Sequence, residues 1–182
     1  PSPKKSQMIG NSSTSVKEVK ASADQTFFNV TLITKTENEW NDDYWIAIDT
    51  NDKDAGESLL PNGNSITLGD KTLRAEFALH FKLADSLATL YVTKAYDVFN
   101  IKDEIRLDTV ISTTTDGDPW EIVRWRNNYE KDHIQYIGKI RINQSQKAPE
   151  SLEGLSWNAD SITIRLPWTL INFRDPSQKE VI

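Results

Sequence analysis

The chain has 182 residues, 37% hydrophobic and 26% charged, with a formal net charge of −6 and no cysteine. That mixture suits one core of ordinary size, while the acidic balance, with no Lys/Arg block, argues against nucleic acid as a partner. Without cysteine there is no disulfide framework, thiol nucleophile or thiolate metal site. No run of about 18 apolar residues is present, so no membrane insertion is expected.

Residues 1–15 are polar and rich in Ser and Pro, which predicts a flexible linker. The opening Pro1-Ser2-Pro3-Lys4-Lys5 reads as part of a segment excised from a larger protein. One domain is expected over residues 16–182. Within it, short runs of β-branched and aromatic residues alternate with Asp, Asn, Gly and Pro, the pattern of antiparallel sheets.

The first predicted strands are Val16 to Ala21 and Thr26 to Lys35. Tyr44 to Asp49 is nearly continuous in apolar character and predicts a central strand buried on both faces. A long polar loop follows, from Thr50 to Gly69. Arg74 to Phe81 then alternates, with Ala75, Phe77, Leu79 and Phe81 inward and Arg74, Glu76 and His80 outward. It should pair with Leu87 to Tyr96 through a short connection. Ile105 to Thr114 is a further candidate strand, and Trp120 to Trp125 another after the turn at Asp116-Gly117-Asp118-Pro119. Residues 134–142 and Ser161 to Leu166 complete the set, and Pro167 should end the last strand with a helical turn over Trp168 to Ile171. About eight to ten strands without crossover helices predict an all-β fold, a two-sheet antiparallel β-sandwich of jelly-roll-like type.

The densest group of hard oxygen ligands follows the Tyr44 strand. Asp49, Asn51, Asp54 and Glu57 alternate around a turn containing Gly56, and calcium takes six to eight such oxygens. These four are the candidate metal ligands. A solvated turn would use the same residues, because Asp, Asn and Gly tolerate turn dihedrals.

Six tryptophans are present. Sugar sites use aromatic faces against pyranose C–H groups and polar side chains against hydroxyls. Trp40, Trp120, Trp125 and Trp157 sit beside polar or turn residues and are the candidate stacking residues. Trp45 and Trp168, inside apolar runs, are assigned to the core. Around Trp120 and Trp125 the alternation puts Trp120, Ile122 and Arg124 on one face and Glu121, Val123, Trp125 and Asn127 on the other. Glu121, Arg124, Arg126 and Asn127 are therefore the candidate hydrogen-bonding residues.

Signals of catalysis are missing. Neither His80 nor His133 has a zinc-binding spacing, and there is no nucleophile elbow, P-loop or dinucleotide fingerprint. Glu76 and Glu121 are the carboxylates first suspected if two acids met in space.

The stretch Asp43-Tyr44-Trp45-Ile46-Ala47-Ile48-Asp49-Thr50, with Gly56-Glu57, Leu60-Pro61 and Ala75-Glu76-Phe77-Ala78-Leu79 after it, resembles the family 9-like carbohydrate-binding modules and the related DOMON-like sandwiches. Asp160 to Trp168 resembles their last core strand and its Pro-Trp stop, and Asn172-Phe173-Arg174-Asp175-Pro176 resembles the tail of bacterial relatives. The resemblance implies a non-catalytic accessory module of a bacterial secreted or surface glycan-active protein. Its partners would be a polysaccharide or oligosaccharide and the other domains of the parent chain, often with structural calcium. Haem, which some DOMON relatives bind through Met and His, is disfavoured because the one methionine, Met8, lies in the entry segment. The alternative is a structural spacer or protein-docking sandwich that has no sugar site.

Overall fold

The structure is a computed structural model that describes residues 15–50, 55–97, 116–117, 119–126, 134–143, 154–175 and 180–181. Among them the fold is all-β. Its strands are β1 (Val16–Ala23), β2 (Phe27–Thr34), β3 (Asp43–Ile48), β4 (Thr67–Leu68), β5 (Lys71–Thr72), β6 (Phe77–Lys82), β7 (Leu87–Thr93) and β8 (Trp120–Ile122). They continue as β9 (Trp125–Arg126), β10 (Ile134–Gln135), β11 (Lys139–Asn143), β12 (Leu155–Trp157), β13 (Ser161–Pro167), β14 (Phe173–Asp175) and β15 (Glu180–Val181). Two single 3-10 turns, Lys94–Tyr96 and Trp168–Ile171, complete the elements, the second where the Pro-Trp stop was expected. The expected strand Ile105 to Thr114 and the entry residues 1–14 lie outside the described residues.

The chain divides into two compact units. The first comprises Pro1–Asp43, Lys82–Ala88 and Ile140–Ile182. Its strands run β1-β2-β13-β12-β11. The β2 and β13 pairing shows why these residues make strands. Val30 lies opposite Ile164 and Leu32 opposite Ile162, and all four are buried while Ser161, Thr163 and Arg165 between them stay half-exposed. A period of two with β-branched residues on the inner face fits a pleated, one-sided sheet, and each buried Ile or Leu contributes about 1.5–3 kcal/mol.

One pair departs from the expected all-antiparallel arrangement. β11 and β12 are parallel, with Ile142 opposite Leu155 and Asn143 opposite Ser156. Parallel neighbours require a crossover of about a dozen residues rather than a hairpin, and the chain between Asn143 and Leu155 is of that length. The alternation in residues 134–142 carries no sign of this, because strand direction is not written in a period of two. That segment is also broken, β10 and β11 being separated by a turn at Ile137 and Gly138. Gly154, just before β12, is packed against Ile140 so closely that a methyl group there would overlap the Ile140 side chain.

The second unit comprises Tyr44–Phe81 and Thr89–Lys139. β6 pairs antiparallel with β7, as expected, and β7 with β8. β3 stands at the far end of this order, beside β6. The expected central position of the Tyr44 strand is therefore corrected. Tyr44 and Ile48 are buried, whereas Trp45, Ile46 and Ala47 are half-buried. Its apolar run is matched by aromatic partners instead: Tyr44 stacks on Phe81 at 5.2 Å between ring centroids, and Trp45 on His80 at 4.1 Å. Trp168 in the first unit likewise is half-buried rather than core, donating its indole N–H to Asp24 O at 3.0 Å.

The strand β6 is covered on both faces at its start. Phe77, Ala78 and Leu79 are all buried, and so is Glu76, which the alternation had placed outward. A neighbouring chain segment pairs alongside Ala75, just ahead of β6, and its geometry shapes the candidate site.

Gly154→Ala should destabilise the fold by about 1–3 kcal/mol, since the added methyl must displace a packed core side chain. Urea unfolding of the variant against wild type checks this, and an unchanged midpoint would contradict the close approach to Ile140.

Candidate functional site

The segment that pairs beside Ala75, just ahead of β6, includes Ala55, Gly56 and Glu57. Glu57 and Ala75 form an antiparallel bridge, with Glu57 N–H donating to Ala75 O at 2.9 Å and Ala75 N–H to Glu57 O at 3.0 Å. Gly56 makes this approach possible. Its φ is +80°, and a Cβ there would stand 2.5 Å from Ala75 O and 2.8 Å from Glu76 Oε1, so only glycine satisfies both conformation and space.

From this bridge the loop continues to Gly63 and forms one wall of an open pocket of about 550 Å³. Leu59, Leu60 and Pro61 supply that wall, Pro119 and Gly117 face it, and Tyr91 of β7 and Trp120 of β8 complete the lining with Glu57. The volume is in the range of small-ligand sites. Trp120 is held in place by its own donor, Nε1–H reaching Leu59 O at 3.0 Å. The ring is thus an orienting surface rather than a hydrogen-bonding one.

A polar knot ties the two walls together. Arg74 donates to both oxygens of Asp116, Nη1 at 2.8 Å and Nη2 at 2.6 Å, and Nη1 also reaches Gly56 O at 3.1 Å. Ser58 Oγ donates to Asp116 Oδ1 at 3.1 Å. Fork geometry of this kind is the strong form of a carboxylate contact, and the Arg74 bonds hold the Asp116 carboxyl down at about 2. Glu57 behaves oppositely. Burial pushes its carboxyl up, the Asp116 charge adds to the rise, and backbone N–H groups of Leu59, Gly117 and Ser58 offset part of it. Its Oε2 is buried with no hydrogen-bond partner among the described residues.

A second buried carboxyl lies one residue beyond the bridge. Glu76 Oε2 accepts from Thr50 N–H at 2.7 Å and from Thr50 Oγ1 at 3.1 Å. Burial raises this carboxyl too, and the Asp49 charge raises it further.

The residues singled out in the sequence are distributed unevenly over this geometry. Trp120 lines the pocket. Arg124 does not offer itself to a ligand: its Nε and Nη2 bond Asp97 Oδ2 at 3.1 and 2.9 Å, and Nη1 lies 3.6 Å from Glu121. The expected division of Glu121 and Arg124 between opposite faces fails for the same reason. Val123 and Arg124 leave the strand between β8 and β9, Val123 N–H bonding Leu90 O at 3.0 Å, and the alternation restarts at Trp125. Trp125 is 52% exposed on β9, and Arg126 lies opposite Ile134 of β10. Trp125 does not line the pocket, and the Arg126 side chain and Asn127 lie outside the described residues. Trp40 and Trp157 meet each other in the first unit, their rings 5.8 Å apart and tilted by 58°, with Trp40 49% exposed.

Of the four expected metal ligands, Asn51 and Asp54 lie outside the described residues. Glu57 lines the pocket and feels the charge of Asp116, whereas the charge of Asp49 acts on Glu76. The described residues hold no group of three or more acidic or histidine side chains suited to a metal.

Sequence reasoning missed Tyr91, the Leu59–Pro61 wall and the half-buried position of Trp45. Tyr91 had no clear signal in the sequence: Leu90 and Val92 are core, but Thr89 and Thr93 on the Tyr91 phase are buried as well, so alternation does not single it out.

No family model, curated protein or solved structure matches this chain.

The raised carboxyl of Glu57 gives a sign for stability. Its native state holds a proton more tightly than the unfolded chain, whose glutamates titrate near about 4.3. The contribution is therefore full below that value and is lost as pH rises through the native pKa. In chelator, the urea midpoint of Glu57→Gln should fall less steeply than wild type as pH rises from about 5 to 8. Equal slopes would show that Glu57 ionises as freely in the fold as in water.

Proposed function

We propose that this chain is a non-catalytic carbohydrate-binding domain, accessory to a larger secreted or surface glycan-active protein, and that it takes its sugar in the Trp120–Tyr91 pocket. The observation that carries this reading is the make-up of the pocket. Trp120 and Tyr91, with Pro61 and Pro119, provide rigid apolar and aromatic surface, and Glu57 is the one carboxylate among the described lining residues. A pyranose presents the matching pair of surfaces, C–H groups for the rings and hydroxyls for polar groups at the rim. Indole fixation by Leu59 O keeps one ring in place before ligand arrives, which lowers the ordering cost of binding.

The fold we infer for the complete domain is the two-sheet sandwich that the resemblance to family 9-like modules implies. Adsorption, not bond cleavage, is the mechanism that fits the acids. Glu76 is fully buried, and Glu121 is placed beside Arg124 rather than in the pocket.

A second reading is a structural spacer without a sugar site. Its support is that Arg124 is engaged by Asp97 and that Trp40 and Trp157 pack on each other. The two readings separate on a glycan array probed with the purified chain in calcium and again in chelator. The first predicts a reproducible glycan class, and silence from folded protein in both conditions favours the spacer.

On the glycan so identified, Trp120→Ala and Tyr91→Ala should each weaken binding by about tenfold or more, corresponding to about 1.4 kcal/mol or more. Trp40→Ala should leave affinity within about twofold, as expected for a residue outside the site. Isothermal titration calorimetry with a soluble oligosaccharide checks both, and a loss confined to Trp40→Ala would move the site to the first unit.

A further inference from the structure

Tyr91 borders the pocket, and its ring has an aromatic neighbour outside it. The Trp45 centroid lies 6.0 Å from that of Tyr91, with the two planes within 22° of parallel. Trp45 also stacks on His80, at 4.1 Å and 17°. Centroid separations of about 4.5–7 Å in near-parallel rings are attractive beyond the area they bury. Trp45 is not one of the described residues that line the pocket.

Neighbourhood in the sheet does not by itself produce this contact. β6 runs between β3 and β7, and strands two places apart are separated by about 9–10 Å. Side chains meet across an intervening strand where that strand presents something small between them. Tyr91 is opposite Ala78 in register, and opposed residues point to the same side of a sheet. Ala78 is 0% exposed on that side, which fits a methyl group roofed by the two rings. His80, two residues along β6 and so on the same side, extends the stack through Trp45.

A tyrosine at the border of a pocket must have its side-chain torsions fixed before its ring can serve as a prepared surface. Trp120 is fixed by its indole N–H on Leu59 O, and Tyr91 has the Trp45 ring beside it. We propose that Trp45 is a positioning residue of the sugar pocket, stacking on Tyr91 across Ala78 and so presetting the ring that the ligand meets. The inference rests on the pocket reading above, and it adds that affinity depends on a β3 residue outside the lining.

The test uses the full chain, with labelled wild type and variants titrated over the same printed glycan array. Trp45→Ala should weaken binding by about three- to tenfold, as for the loss of one aromatic contact. Trp45→Phe keeps a ring to stack and should stay within about twofold of wild type. In a Tyr91→Ala background Trp45→Ala should cause no further loss, because a residue that acts through Tyr91 then has nothing to position. An equal loss in both backgrounds marks a merely structural role and overturns the proposal. Where Trp45→Ala does not fold, Trp45→Leu takes its place with the same two outcomes, filling volume without an aromatic plane. The ring itself is read without sugar by fluorine NMR of chain labelled with fluorotyrosine, the Tyr91 signal being identified by Tyr91→Phe. Trp45→Ala should move that signal, and an unmoved signal overturns the proposal. Wild type silent on the array overturns the pocket reading and this inference with it, whereas wild-type binding that Trp45→Ala retains in full overturns this inference alone.

Discussion

The bridge between Glu57 and Ala75 is the constraint on which the second unit depends. Two backbone hydrogen bonds, 2.9 and 3.0 Å long, hold the segment around Glu57 alongside Ala75, just ahead of β6. This contact leaves no space for a side chain at Gly56 and buries the carboxyls of Glu57 and Glu76, on either side of fully buried Ala75. Backbone groups buried at such a crossing must pair with each other, and here they do. The loop wall of the pocket starts from the same two bonds.

Burial of two acids within one short stretch sets the electrostatics around the bridge. Asp116 is stabilised as a carboxylate by the fork of Arg74, and the same guanidinium reaches Gly56 O. One cation thus joins the turn at Asp116 and Gly117 to the bridge segment. Among the described residues Glu57 and Glu76 have no such partner, and desolvation shifts their carboxyls upward while that of Asp116 is shifted downward.

Aromatic residues serve three different purposes in this chain, and type alone does not distinguish them. Trp45 stacks on His80 along the β3–β6 neighbours, Trp168 anchors to Asp24 O beside Phe28, and Trp120 is fixed by Leu59 O at the pocket. Indole has one donor and a large apolar body. Where the donor finds a carbonyl decides which part of the body is left to face a ligand.

Much of the strand pattern was legible in the sequence because period-two burial is local. Ile162, Ile164 and Leu166 declare β13, and the short connection from β6 declares its pairing with β7. The turn at Asp116 and Gly117 and the Pro-Trp stop are likewise local, since Gly and Pro fix dihedrals without help from distant residues. The choice of Trp120 as a site residue followed from its turn-flanked position. The sequence by itself thus determined the all-β class and the main strands. Only the tertiary structure decided that β11 and β12 run parallel, that Arg124 belongs to Asp97, that Glu57 and Asp49 serve different carboxyl groups, and that Glu76 is buried. Each of those outcomes depends on which distant segment arrives beside a residue, and an alternating pattern specifies the face that seeks a partner without specifying the partner.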